Sequence, residues 1–191
     1  MDLTGVIIAG GESSRFGKPK AFAKYKGKEL YLHAIDSLGN ITNKISVIAR
    51  EEHMECYQPP IHLLKDDPLF KGLGPLAGLY TVMSQVEADW YITLPVDTPC
   101  VNREILQRLL PGDNAKVQAF VPIVTGRKQP LIATYHYTAK QVVYDLLIKN
   151  KRSMHGLLDQ LRVQYITFDD SCEPCFYNVN TEEELRKLQL E

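Results

Sequence analysis

Five short apolar runs, Gly5–Ala9, Ile45–Ala49, Ile61–Leu64, Trp90–Leu94 and Val117–Val124, alternate with helical patterns through the first two thirds of this 191-residue chain. Runs this brief and this continuously apolar suit strands covered on both faces, and strands alternating with helices predict a mostly parallel sheet between two helical layers. Between them, Tyr31, Ala34, Ile35 and Leu38 share one helical stripe, and Leu76, Leu79, Tyr80 and Met83 share another that opens with Pro75 in its first turn. After Val124 the order loosens. A strand is expected at Leu131–Tyr135, helical stretches near Ala139–Lys149 and Met154–Leu161, and a strand at Val163–Phe168. Thr181 to Glu184 spells a capping box at the head of a C-terminal helix. The expected architecture is α/β: a single-domain three-layer α/β/α unit, residues 1–191, with a Rossmann-like twisted sheet. Residues 1 to about 110 would form one part of it and about 111–191 a second.

The first of these runs empties into glycines and then into cations: Val6-Ile7-Ile8-Ala9-Gly10-Gly11, followed by Arg15, Lys18 and Lys20. Adjacent glycines let the chain turn sharply and bring bare amide groups to phosphate oxygens, and Arg15 and Lys20 add full positive charge. Two common phosphate loops do not fit. A Walker loop needs four residues between its glycines and a Ser or Thr after its Lys, whereas Gly11 and Gly17 enclose five and Pro19 follows Lys18. A dinucleotide fingerprint needs G-x-G-x-x-G, which adjacent Gly10 and Gly11 do not supply.

Charge supports a small polyanionic ligand rather than a nucleic acid or a membrane surface. The totals nearly cancel, 22 basic against 23 acidic residues, but residues 1–28 hold six Lys or Arg against Asp2 and Glu12 alone. No apolar run approaches the roughly 20 residues that span a bilayer, and no signal-peptide pattern opens the chain, so a soluble cytoplasmic protein is expected. Cys172 and Cys175 form a C-x-x-C, but a structural zinc needs a second ligand pair and a thioredoxin-type site needs the motif to open a helix. An inert loop pair is the expectation. The five histidines are dispersed and fall in no phosphate or metal motif.

Two further strand ends carry chemistry. Leu94-Pro95-Val96-Asp97-Thr98-Pro99 delivers Asp97 to the carboxyl edge of the sheet, the edge where open α/β sheets bind ligands and where the first motif also ends. Asn102 is the better cap for the following helix, which leaves Asp97 for Mg²⁺, an ion content with few carboxylates plus phosphates and water. Lys65-Asp66-Asp67-Pro68 leads through Gly72 and Gly74 into the next helix. A carboxylate there can accept the ring N–H and amino hydrogens of guanine, a pairing that adenine's ring nitrogen cannot offer.

Ala9, Gly10, Gly11, Ser13, Arg15, Gly17 and Lys20 match A-G-G-x-S-x-R-x-G-x-x-K, which resembles the signature of nucleotidyltransferases with a glycosyltransferase-A-like fold. With Pro95–Pro99, Gly74–Gly78, Gly126-Arg127 leading to Pro130-Leu131, and Asn178-Val179-Asn180-Thr181, the chain resembles the bacterial molybdenum cofactor guanylyltransferases over nearly its whole length. That resemblance implies transfer of GMP from GTP to molybdopterin with release of pyrophosphate. By position, Ile8, Ala9, Gly10 and Gly11 would line the GTP site, and Lys20 would hold phosphate. Asp67, chosen over Asp66 by its distance from Gly74, would contact the nucleotide. Asp97 would bind GTP and Mg²⁺, and Asn178 and Asn180 would face molybdopterin. Arg15, Lys20 and Asp97 form the expected catalytic set, working in a monomer that exchanges its cofactor with other molybdenum-cofactor biosynthesis or acceptor proteins. Glu182 stands where that family usually has Pro. The competing readings are another nucleotidyltransferase of the same fold, for a cytidylyl, sugar or isoprenoid product, and a GTP-binding regulatory module without turnover.

Overall fold

The computed structural model describes residues 1–10, 16, 19–112 and 116–190. Its centre is an eight-stranded sheet built from β1 (Leu3–Ile8), β4 (Ile45–Ile48), β5 (His62–Leu64), β6 (Trp90–Pro95), β7 (Ala119–Val124), β8 (Arg127–Lys128), β9 (Ala133–His136) and β10 (Val163–Thr167). A separate two-stranded hairpin, β2 (Lys24–Tyr25) and β3 (Lys28–Glu29), lies outside it. The spatial order is β10-β7-β9-β6-β1-β4-β5, with β8 folded back on β7. β1 pairs in parallel with both β4 and β6, β4 with β5, and β10 with β7, while β9 runs antiparallel between β6 and β7. The expected mostly parallel sheet is present. The reversed β9 is the element that the apolar pattern did not orient, because a strand buried on both faces reads the same in either direction.

Helices α1 (Leu30–Gly39) and α3 (Arg103–Gln107) cover one face, and α2 (Pro75–Gln85), α4 (Lys140–Ile148) and α5 (Met154–Leu158) cover the other. Strand alternation divides the core between them: on β1, Val6 packs with Leu76 and Leu79, and Ile7 packs with Tyr31 and Leu38. The two predicted stripes account for this, with Tyr31, Ala34 and Leu38 buried on α1 and Leu76, Leu79 and Met83 on α2. Tyr80 stands half-exposed against Phe70 and Tyr144. Asn102 caps α3 by accepting from the Ile105 amide at 3.1 Å. The last helix, α6 (Glu182–Leu190), starts on the expected box: the Thr181 hydroxyl accepts from the Glu184 amide (3.1 Å), and the Glu184 carboxylate accepts from the Thr181 amide (3.2 Å). Glu182 in place of Pro thus begins the helix without disturbing its cap.

The Gly74-Pro75-Leu76-Ala77-Gly78 block is a helix start with two separate demands. Gly74 precedes α2 at φ +82° and ψ −163°, a conformation almost closed to side-chain-bearing residues. Gly78 faces β4 so closely that a Cβ would sit 3.3 Å from Ile48 Cγ2. Small residues here let α2 lie directly on the sheet. Gly74→Ala should therefore cost about 1–3 kcal/mol of unfolding free energy, measurable by chemical denaturation, and a loss under 0.5 kcal/mol would show that this backbone is not strained.

Candidate active site

Because β1, β4, β5, β6, β7 and β10 all point the same way, every loop that follows one of them emerges at one edge of the sheet. The chain passes outward from β1 to β4 and β5, then returns to the other side of β1 as β6, so the crevice between β1 and β6 is a topological switch point. Ile8 and Pro95 are register partners there, and the Val96 amide donates to the Ile8 carbonyl at 3.2 Å. Ala9, Gly10 and Asp97 consequently leave the sheet side by side.

Lys20 opens a short 3₁₀ turn, Lys20–Phe22, anchored by buried Ala21. Its Nζ lies 3.0 Å from Asp97 Oδ2 and donates to Asn180 Oδ1 at 3.3 Å. Residues 77 and 160 positions away in sequence thus converge on one ammonium. The Asn178–Asn180 segment is held by a bond from the Val179 amide to the Asp97 carbonyl (2.8 Å) and by the fully buried Val179 side chain against Phe16, Tyr25, Leu30 and Leu185. Asp97 keeps only about a fifth of its side chain exposed, and its Oδ1 is buried with no hydrogen-bond partner among the described residues. A buried carboxylate oxygen without a donor is costly, and a divalent cation arriving with phosphates would satisfy it. Among the described residues no three His, Cys, Asp or Glu side chains cluster as a metal cage. A single Asp fits an ion held largely by substrate and water, as Mg²⁺ commonly is.

Lys20 and Asp97 line one cleft, and Asn178, whose carbonyl accepts from the Asn180 side chain, lines another. The first, of about 680 Å³, runs from Ile8, Ala9, Gly10, Lys20 and Asp97 toward the ends of β4 and β5, a volume within the usual range of small-ligand sites. Arg50 and Asp66 also line it. Arg50 Nε donates to the Gly10 carbonyl at 3.2 Å, and Asp66 Oδ2 accepts from the Gly72 amide at 3.2 Å. Burial pushes the Asp66 carboxyl above its ordinary value, with the Gly72 amide, Lys71 and Arg50 pulling the other way. Asp67 does not line this cleft. Its Oδ1 accepts from the Leu69 amide (2.9 Å), closing a turn, and its own amide donates to Thr81 Oγ1. The structure therefore turns Asp66, rather than Asp67, toward the cavity.

The second cleft, of about 1060 Å³, lies between the β7–β8 turn and the head of α6, with Arg127, Lys128, His155, Asn178, Glu184 and Lys187 on its walls. Arg127 and Lys128 line it, whereas Lys149, Lys151 and Arg152 do not. Asn178 belongs to this cleft while Asn180 touches Lys20. Gly11, Ser13, Ser14 and Arg15 lie outside the described residues. Cys172 and Cys175 are free thiols in a 3₁₀ turn, Asp170–Phe176, packed against the core, and burial raises the Cys175 thiol above its ordinary value. That is the setting of an unreactive pair. Arg50 and Glu184 escaped notice as site residues in the sequence. Arg50 could have been found by the rule that singled out Asp97, since it too follows directly on a strand end.

A family model described as the MobA-like NTP transferase domain matches residues 5–189. The chain belongs to the MobA-like NTP transferase family. It is 42% identical to the "Probable molybdenum cofactor guanylyltransferase" of Bacillus cereus strain B4264 over 189 residues, covering 97% of this chain and 94% of that protein. The corresponding protein of strain ATCC 10987 is 40% identical over the same length. These relatives bear out the resemblance carried by the five sequence blocks. The fold is shared with the crystal structure of molybdopterin-guanine dinucleotide biosynthesis protein A from Archaeoglobus fulgidus, at a TM-score of 0.80 and 22% identity over 98% of this chain and 97% of that one. It is also shared with 2-C-methyl-D-erythritol 4-phosphate cytidylyltransferase from Thermus thermophilus, at 0.71 and 14% identity over 97% and 96%. Among the described residues no helix is long and apolar enough to cross a membrane.

An Asp97→Asn variant tests this arrangement. The amide can still accept from Lys20, so the fold should hold, but nucleotidyl transfer should fall by at least about 100-fold, measured as pyrophosphate release alongside circular dichroism. A folded variant with wild-type rates would remove Asp97 from the chemistry.

Proposed function

We propose that this enzyme transfers the GMP moiety of GTP to the terminal phosphate of molybdopterin, forming molybdopterin guanine dinucleotide and pyrophosphate. The observation that carries the reading is the contact of Lys20, on the wall of the first cleft, with Asp97 and with Asn180, whose side chain also bonds to Asn178 on the wall of the second. It supports two anionic substrates meeting at one cation. GTP would lie in the first cleft with its phosphates toward Lys20 and the glycine loop, its base toward Arg50 and Asp66. The Asp66 carboxylate suits the adjacent ring and amino N–H groups of guanine, two neighbouring donors that cytosine and adenine do not present, and the Arg50 guanidinium suits its carbonyl oxygen and ring nitrogen. Molybdopterin would occupy the second cleft, its phosphate drawn by Arg127, Lys128 and Lys187 and its position set by Asn178 and Asn180. On this reading residues 1 to about 110 form the GTP part and about 111–191 the acceptor part of one cytoplasmic, monomeric enzyme.

No base is required of the protein. A phosphate monoester has its second pKa near 6 and is already largely dianionic at neutral pH, so the difficulty is to bring two polyanions into line. Lys20 offsets negative charge on the phosphates, Arg15 and the amides of Gly10 and Gly11 take up more of it, and the walls of the two clefts fix the approach. Asp97 is the residue that would hold Mg²⁺, which supplies further positive charge against the triphosphate. His33, His62 and His136 have no part in this scheme. His33 and His62 are engaged with Tyr25 and Ser46, and His136 with Thr138.

Pyrophosphate release with molybdopterin as acceptor should be Mg²⁺-dependent and faster with GTP than with CTP or ATP. Preference for CTP would overturn the guanine assignment, and no release with any nucleotide would favour a GTP sensor. Asp66→Asn should narrow the preference for GTP over CTP by about tenfold or more, while Asp67→Asn should leave that ratio within about twofold. Equal effects of the two substitutions on that ratio would argue against the placement of the base.

A further inference from the structure

We infer that Glu184 is a positioning residue for nucleotidyl transfer, acting on Lys20 through Asn180. A capping box needs its carboxylate to satisfy only the amide of the cap residue, here Thr181. Glu184 goes one residue further: the same Oε2 that takes the Thr181 amide at 3.2 Å also takes the Asn180 amide at 2.5 Å. Asn180 is exposed, and no apolar packing fixes its side chain. Its backbone is clamped instead, by Glu184 on its own amide and by the neighbouring Val179 amide on the Asp97 carbonyl. From that clamped backbone the Asn180 side chain reaches two groups, donating to the Asn178 carbonyl (3.4 Å) and accepting from Lys20 Nζ (3.3 Å). A hydrogen-bonded path therefore runs from Glu184 through Asn180 to the Lys20 ammonium.

The placement of Glu184 makes a purely structural role a poor fit. It lines the second cleft, where an uncompensated carboxylate would repel an anionic acceptor. Two backbone N–H donors on one oxygen offset that charge and spend it on ordering the segment between the clefts. A lysine is a flexible point charge whose effect on phosphate depends on where its stem is held. Asp97 restrains Nζ from one side and Asn180 from the other. Loosening Asn180 should leave GTP bound but Lys20 badly aimed, a fault that appears in kcat before KM.

This inference rests on the proposed reading of Lys20 as a phosphate-holding group, and the experiment separates the two. Glu184→Ala should lower kcat by about tenfold with KM for GTP within about twofold, and Glu184→Gln, which keeps an acceptor oxygen, should recover most of the loss. Thr181→Ala removes the other half of the capping box and is the control: its melting temperature should fall comparably while kcat stays within about twofold of wild type. The double variant Asn180→Ala/Glu184→Ala should be no slower than Asn180→Ala alone, because the two residues act in series. Wild-type kcat in Glu184→Ala, or losses that multiply in the double variant, would overturn the inference. Should Glu184→Ala not fold, Glu184→Asp, which keeps the charge and shortens its reach, carries the same comparison. Full activity in Lys20→Met would instead overturn the site reading beneath it.

Discussion

Parallel pairing of β1 with β6 is the constraint on which the site depends. Two strands running side by side in one direction bring their ends together, and here they lead into Gly10 and Asp97. With β4 and β5 beyond β1 and the chain returning to β6, no strand intervenes between those ends, and the crevice opens where the backbone itself diverges. The helices enforce the geometry by covering both faces. Val6 and Ile7, adjacent in sequence, are committed to opposite layers, so β1 cannot slip by one residue without exposing both of its apolar sets.

The reversed strand β9 has a functional consequence. By inserting antiparallel between β6 and β7, it keeps β7 parallel to β6 and returns the Val124–Gln129 turn to the carboxyl edge. β10 does the same for the segment ending in Asn178–Asn180. The second half of the chain therefore contributes its own loops to the edge already occupied by the loops after β1 and β6, and the two halves meet where Lys20 contacts Asp97 and Asn180.

Much of this was readable before any coordinates. Each of the short apolar runs became a strand within two residues of its expected limits, because most of their positions are apolar and the central ones are buried on both faces. The Gly74–Gly78 block and the Thr181–Glu184 box stated local backbone requirements that any fold would have to honour. The β2–β3 hairpin and β8 went unread, since strands of two residues are too short to show a period. Choosing Asp67 by its spacing from Gly74 also missed the cleft. Neighbouring carboxylates on an irregular turn point wherever the turn sends them, and this turn spends Asp67 on the Leu69 amide and leaves Asp66 beside the cavity.

The sequence alone determined the order of the longer strands and helices, the family and the chemical types at the strand ends, because periodicity, turn residues and charge are properties of short stretches. Only the tertiary structure decided that Lys20, Asp97 and Asn180 share one ammonium, that Asp66 faces the cleft, and that Glu184 reaches past its own helix to Asn180. Those facts turn on side-chain direction and on contacts spanning up to 160 residues, and no local pattern encodes which way a loop carboxylate turns or which distant loop it meets.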